Sequence, residues 1–503
     1  YYIQNDTSKL VQIGENSYRL KYAEKKQLLK NCIYGVDKDF NAAEASKFGL
    51  LLKLLENEDS ASLINEHPIL PDLEKNIFFG NSLLSSCDIK ATDASDINPF
   101  DFGSMRFDAI IGNPPYLTTE GMKNFTPKEL PLYKLKYTSA YKQFDKYIVF
   151  VERAMDLLKD NGLLGYIVPL KFMKVGAGQE LRRLILTQKT LEAITAFGAC
   201  KVFPGKSNYT CLLIVKKTEH ETFRYNEVSN LNQWKLADKN ILPVDTKSYD
   251  EISESTWALF PEHLRGAYDT ILSNSTTLLA ITGEDNIFNG IQTSANKVYV
   301  FQPKSERNGI YTFEKDGQDW KVEKEVTRAY FQTSTGDDGL NTYRTFKPNA
   351  CVIFPYRKND KDKLEMIPLD DIMHDYPKLY KYLLAHENIL NAASRDIKPV
   401  PTTASEWHRY GRHQSLDACN LPKKIIVGVL STGDKYAVDS FSTFVSSGGT
   451  AGYCMIALPE DSPYSIYYLQ AILNCKYLEW ISSLYGEIFG GGFIARGTKV
   501  LKQ

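Results

Sequence analysis

An apolar run that stops at Gly112 and gives way to Asn113-Pro114-Pro115-Tyr116 sets the strongest limit on how this chain folds. Ala109, Ile110 and Ile111 read as the end of a strand buried on both faces, as in a parallel sheet. A glycine followed by two prolines neither continues a sheet ladder nor opens a helix in the usual way, so the chain must turn out at the strand's carboxyl end. In open α/β sheets that edge borders the ligand crevice, which presents Asn113 and Tyr116 to a crevice instead of a core. Asn113 offers a side-chain carbonyl, Pro114 keeps a backbone carbonyl in an extended conformation because a proline follows it, and Tyr116 adds a flat π face. Two acceptors beside a stacking surface suit a planar group carrying an exocyclic amine.

The flanking sequence supplies the rest of an α/β sheet. "CIYGVDKDF" (32–40) is a short apolar strand ending in acidic residues, and "NAAEASKFGLLLKLL" after it has apolar residues at helical spacing. An acidic residue at the end of such a strand is placed to bond a ribose, which singles out Asp37; Asp39 fits a helix N-cap better. Downstream, residues 144–173 read as an amphipathic helix, a stop at Asn161-Gly162 and a buried strand, the arithmetic of a further crossover.

These pieces, in this order, resemble the amino-group methyltransferases, enzymes that move a methyl from S-adenosylmethionine to N6 of adenine. Residues 107–217 carry the resemblance most tightly. It implies an α/β fold, a doubly wound Rossmann-like methyltransferase sheet, and a flipped adenine whose amine is held by Asn113 and Pro114 and whose ring stacks on Tyr116. "NIFFGNSLL" (76–84) resembles the family's third motif, where Asn81 and the backbone of Ser82 would meet the cofactor's adenine. Many members have Asp at the position of Asn81, and either residue accepts from an amine. With Asp37 and Asn113 these complete the implied S-adenosylmethionine contacts. Asp145 and Tyr147 are read either as further contributors or as a helix cap and a core aromatic. In "KVFPGKSNYTCLLIVKK" (201–217), Phe203 matches the aromatic that covers the flipped base from the side opposite Tyr116.

One motif of the family is missing. No glycine-rich loop precedes Asp37, and "KVGAGQE" comes in the wrong order, so the first strand and its loop are expected upstream of Tyr1. "PGKSN" (204–208) is no phosphate loop, because Cys200 stands where that motif needs glycine. Pro71-Asp72 and Asp88-Ile89-Lys90 satisfy a nuclease pattern too degenerate to count. Eight cysteines without a C-x-x-C pairing indicate neither a disulfide framework nor a zinc site, and no metal is expected. No apolar run approaches the ~20 residues of a membrane helix; the scattered cysteines fit a reducing, cytoplasmic setting, and the resemblance implies a prokaryotic one. The net charge of −1 gives no global nucleic-acid signal, which directs the search to local patches.

At 503 residues the chain is too long for one core, and sustained periodicity lapses after Lys217. Residues 1–245 are read as the methyltransferase domain and 246–503 as a mixed α+β unit of short β runs ("KVYVF", "ACVIFPYR", "KKIIVGVL") and two helical segments. The second half resembles the target-recognition domain of TaqI-type and type IIG restriction–modification proteins, in which a nuclease lies amino-terminal to the methyltransferase. Double-stranded DNA is the implied partner. "WHRYGRHQS" mixes cations with aromatics, so Trp407, His408, Arg409, Tyr410 and Arg412 are read as DNA contacts, against a solvated basic loop. Loops at Gln292–Ser294 and Gly490–Gly492 are further places where backbone could approach a duplex. Two other readings stay open: a protein-glutamine or RNA amino-methyltransferase, and a non-catalytic DNA-recognition subunit.

Overall fold

The computed structural model describes residues 2–15, 17–90, 94–205, 209–237, 244–332, 346–398, 406–433, 435–448, 451–489 and 492–502; Gly490 and Gly491 and most of "PGKSN" lie outside them. The chain forms two compact units: 1–196 with 210–226 and 246–255, and 197–209 with 227–245 and 256–503. No helix among the described residues is long and apolar enough to cross a membrane.

The first unit is α/β. Strand β1 (Gly35–Asp37) runs into helix α1 (Phe40–Leu55), whose N-cap is Asp39, accepting from the backbone N–H groups of Asn41 and Ala42. Strand β2 (Ile77–Phe79) pairs in parallel with β1. It ends at Gly80, where a Cβ would meet Phe100 at 2.7 Å, so the close turn needs glycine. Strand β3 (Phe107–Gly112) is followed by helices α2 (Thr119–Phe125), α3 (Glu129–Lys136) and α4 (Lys146–Leu157). Helix α4 buries Tyr147, Ile148, Val151, Ala154 and Met155 along its apolar stripe.

Strand β4 (Leu158–Pro169) pairs in parallel with β3. The expected stop at Asn161-Gly162 is a bulge inside this strand: Phe107 faces Leu158 while Ala109 faces Leu163, and Asn161 adopts φ +64°. A Cβ at Gly162 would lie 3.0 Å from the Phe107 carbonyl and 2.9 Å from that of Lys159. After helix α5 (Gln179–Gln188) come β5 (Leu191–Ala196), β6 (Thr210–Lys216), β7 (Thr222–Glu227) and β8 (Asp245–Ser248), giving the six-stranded order β8-β7-β5-β6-β4-β3. Strand β6 is antiparallel to both neighbours.

One expectation is corrected here. Among the described residues strand β3 is the outermost strand of its sheet, bonded only to β4, and Ile111 is 85% exposed, so it is not buried on both faces. A residue keeps its side chain in water when no strand or helix lies alongside to cover it.

The second unit is α+β. Its sheets are β9-β19-β16-β17 and β10-β15-β14-β18, from β9 (Ile287–Asn289), β10 (Val300–Phe301), β14 (Thr327–Phe331), β15 (Ala350–Ile353), β16 (Lys424–Gly428), β17 (Ala437–Asp439), β18 (Phe444–Val445) and β19 (Tyr453–Ile456). A third sheet comprises β11 (Ser305–Arg307), β12 (Ile310–Lys315) and β13 (Gln318–Glu323). The helices α6 (Pro377–Ala385), α7 (Ile466–Leu473) and α8 (Lys476–Tyr485) fall in the two segments read as helical. "KVYVF" is mostly a short helix, Asn296–Tyr299, because its apolar residues pack inward on one helical turn.

Candidate active site

The loop after β3 is rigid on one side and open on the other. Pro114 is buried, Asn113 and Pro115 are exposed and Tyr116 is half-buried. The Tyr116 hydroxyl donates to the Ile167 carbonyl on β4 at 2.9 Å, and its ring meets Tyr147 of α4 edge-on, with centroids 6.0 Å apart. Burial, with the Cys211 thiol second, pushes the phenol up to about 12, so it stays a neutral donor. The Asn113 amide has no hydrogen-bond partner among the described residues, which leaves its oxygen available. Around it the chain closes on itself: the Lys146 N–H donates to the Leu117 carbonyl at 2.8 Å, and the Thr119 hydroxyl donates to the Phe144 carbonyl at 2.7 Å. Asp145 pairs with Lys171 at the start of α4.

A second cluster joins the ends of β1 and β2. Asp37 is exposed at the end of β1, its carboxylate accepting from the Asp39 N–H at 2.7 Å. Asn81 is buried, with its oxygen accepting from the Leu83 N–H at 3.1 Å and its amide donating to the Tyr133 hydroxyl at 3.2 Å. Ser82 is half-buried, and its carbonyl accepts from Arg153 at 3.1 Å. Tyr133 in turn donates to the buried Glu129 carboxylate at 2.6 Å, which also pairs with Lys38 and Lys146. Burial works to raise the Glu129 carboxyl, but Lys146, Lys38 and Tyr133 outweigh it and hold it below its ordinary range. Helix α3 is thereby fastened over the strand ends that carry Asp37 and Asn81. No local signature announced this hub, because Lys38 and Glu129 are 91 positions apart. Phe40 and Phe79, 55% and 46% exposed and edge-on at 5.6 Å, add an apolar wall near Asp37 that was also unforeseen.

The Eco57I restriction-modification methylase family matches residues 31–203, the stretch that holds both clusters. The chain is 48% identical over 99% of its length to the type II restriction enzyme and methyltransferase RM.Eco57I of Escherichia coli, and covers 50% of that protein. It is 23% identical over 65% of its length to the type II methyltransferase M.BstVI of Geobacillus stearothermophilus, covering 56% of it. The chain thus spans about half the length of these curated relatives. Among solved structures, the type IIL restriction-modification enzyme MmeI, solved in complex with DNA, matches 89% of this chain and 52% of its own with a TM-score of 0.50 at 11% identity, which is a likeness of fold.

The matched stretch ends at Phe203, which is half-buried in a loop of the second unit. Elsewhere in that unit, the reading of residues 407–410 as a DNA surface is corrected. Trp407 is 6% exposed, His408 0%, Arg409 5% and Tyr410 0%. The His408 carbonyl accepts from Tyr299 at 2.7 Å, His408 Nε2 lies 2.9 Å from the Ile367 carbonyl, Arg409 pairs with Glu406, and the Tyr410 hydroxyl donates to the Ile353 carbonyl. The Arg395 guanidinium donates to four carbonyls, those of Leu390, Trp407, Thr293 and Arg409. Cations and aromatics in alternation serve a satisfied polar core as well as a surface stripe, and here they form the core. Arg412 is half-buried and paired with Asp396. A cleft of about 700 Å³ lined by Gln302, Tyr311, Lys324 and Arg328 offers cationic side chains that the sequence reading passed over.

Proposed function

We propose that this chain is the modification and recognition portion of a type IIG restriction–modification protein: a site-specific DNA methyltransferase that flips an adenine out of the duplex and methylates its N6 with S-adenosylmethionine. The observation that carries the proposal is the exposed, unengaged Asn113 amide beside a Tyr116 ring fixed at both its edge and its hydroxyl.

The chemistry follows from those groups. An adenine amine is a poor nucleophile because its lone pair is delocalised into the ring. Asn113 Oδ1 accepts from one N–H and the Pro114 carbonyl from the other, which draws the lone pair onto nitrogen and fixes its direction. Tyr116 stacks on one face of the extruded base. The donor set near β1 fits the cofactor: an exposed carboxylate at Asp37 for ribose hydroxyls and the Phe40–Phe79 wall for an adenine ring. Asn81, Ser82 and Asn113 complete that assignment; Asn81 takes part by exchanging its bond to Tyr133. When bound, S-adenosylmethionine supplies an electrophilic methyl group on a sulfonium.

Strands β1 and β3 each have an edge without a strand partner among the described residues, and the rings of Tyr34, just before β1, and Phe107, the first residue of β3, have centroids 6.0 Å apart. Residues 246–503 are assigned the target-recognition role, with the nuclease upstream. The test is Asn113→Ala in the full-length protein. Methylation should vanish while duplex affinity stays within about twofold, because affinity comes from phosphate contacts elsewhere; normal turnover in that variant removes Asn113 from the amine site.

A further inference from the structure

Residues 117–143 leave the active-site loop and return to it. The neck is closed by the Leu117–Lys146 and Thr119–Phe144 hydrogen bonds, one to three residues from Tyr116. Inward, the excursion is anchored by Met122, Leu130, Tyr133 and Tyr137, all buried, and by Lys136 on Asp88 and Glu129 on Lys38. Outward, it is unusual for a helical pair: Phe125 is 78% exposed and Leu135 85% exposed, and Lys123, Lys134 and Lys142 are exposed.

Two physical facts bear on this outer surface. The first is charge. The excursion carries five lysines against two glutamates in a chain whose net charge is −1, and one of the glutamates is the buried Glu129. The second is reach. Phe125 closes a two-turn helix that starts three residues after Tyr116, so its Cα lies within about 20 Å of that of Tyr116, roughly one duplex width. A duplex carries one phosphate charge per ~1.7 Å of its axis, so any duplex that delivers a base to Tyr116 brings several phosphates within range of these lysines.

We propose that the outer surface of residues 117–143 is a sequence-independent contact for duplex DNA beside the target base, with Lys123, Lys134 and Lys142 on phosphates and Phe125 as an apolar contact against base edges exposed where the adenine leaves the stack. This rests on the functional reading above. It assigns a DNA contact to the catalytic unit itself, separate from any the recognition unit makes. A pinned neck transmits that contact directly to Tyr116, since Thr119 and Met122 hold α2 to the framework that also positions the ring.

The test compares the full-length protein with the triple variant Lys123→Ala/Lys134→Ala/Lys142→Ala and with Phe125→Ala. Fluorescence anisotropy gives duplex affinity across a salt series, on recognised and on unrelated duplexes. The triple variant is expected to weaken binding equally on both duplexes and to flatten the plot of log affinity against log salt by about 2.7, or 0.9 per phosphate contact. Phe125→Ala is expected to lower the fluorescence gain of 2-aminopurine at the target position without moving the melting temperature. An unchanged salt slope in the triple variant overturns the proposal. So does a Phe125→Ala variant with a lower melting temperature and unchanged DNA behaviour, because Phe125 then packs on protein. Failure of the unaltered protein to bind or methylate any duplex contradicts the functional reading instead.

Discussion

Tyr116 offers the sharpest test of how the loop is built, because its ring and its hydroxyl have separable jobs. Tyr116→Phe keeps the ring and removes one neutral hydrogen bond to the Ile167 carbonyl. Such a bond contributes about 1 kcal/mol net, so kcat/KM should fall about fivefold as the ring loosens. Tyr116→Ala also removes the stacked face, worth roughly 1–3 kcal/mol, and the edge contact with Tyr147, worth about 1 kcal/mol. With the hydroxyl bond the sum is about 3–5 kcal/mol, or a loss of about 160-fold to about 5,000-fold in kcat/KM. Tyr116→Trp tests shape: it restores a stacking face but cannot reach the same carbonyl, and should fall between the other two. The assay is single-turnover methyl transfer to a fixed duplex by the full-length protein, with duplex affinity measured in parallel. Equal activity for Tyr116→Phe and Tyr116→Ala, or Tyr116→Ala within twofold of the unaltered protein, refutes the stacking argument.

Other consequences concern the two buried networks. Glu129→Gln leaves Lys146 buried without its carboxylate partner and should destabilise the first unit by about 3–5 kcal/mol in urea unfolding. Since the folded Glu129 carboxyl sits below its ordinary value of 4.5, its contribution is complete above that pH and is lost as pH falls through the folded value. The unaltered protein should therefore lose stability on acidification below pH 4.5 more steeply than Glu129→Gln; parallel pH profiles contradict the assignment. Arg395→Ala strips four carbonyls of a charged donor and should cost about 4 kcal/mol or more, seen as early unfolding of the second unit by hydrogen exchange. Gly162→Ala sets a methyl group 3.0 Å from the Phe107 carbonyl and should lower the melting temperature, whereas Gly103→Ala, with open space around the position, should be limited to the cost of its φ of +59°.

What could be read in the sequence divides along the range of the interactions involved. The β1–α1 unit, the Asp39 cap, helix α4 and the outward turn at Asn113 come from periodicity and from neighbours a few residues apart, and the expectations there match the elements observed. Strand β3 was read as buried because its residues are apolar, yet burial depends on which strand lies alongside, and that is not written in β3 itself. The Asn81–Tyr133 bond joins residues 52 apart, and the bonds that fold His408 and Tyr410 into the core span 109 and 57 positions. The same residues, Trp-His-Arg-Tyr, would suit a DNA-facing loop if Arg395 were not there to satisfy their backbone. Composition identified the chemical character of that segment; only the tertiary pairing decides which side of the surface it occupies.

The central claim, that Asn113, Pro114 and Tyr116 hold an adenine amine for methylation, is tested most directly by labelled methyl transfer from S-adenosylmethionine to mixed-sequence duplex DNA, with the modified base identified by mass. The account predicts N6-methyladenine at one short recognition sequence, and none with Asn113→Ala. Label on cytosine, or on protein or RNA in preference to DNA, contradicts it.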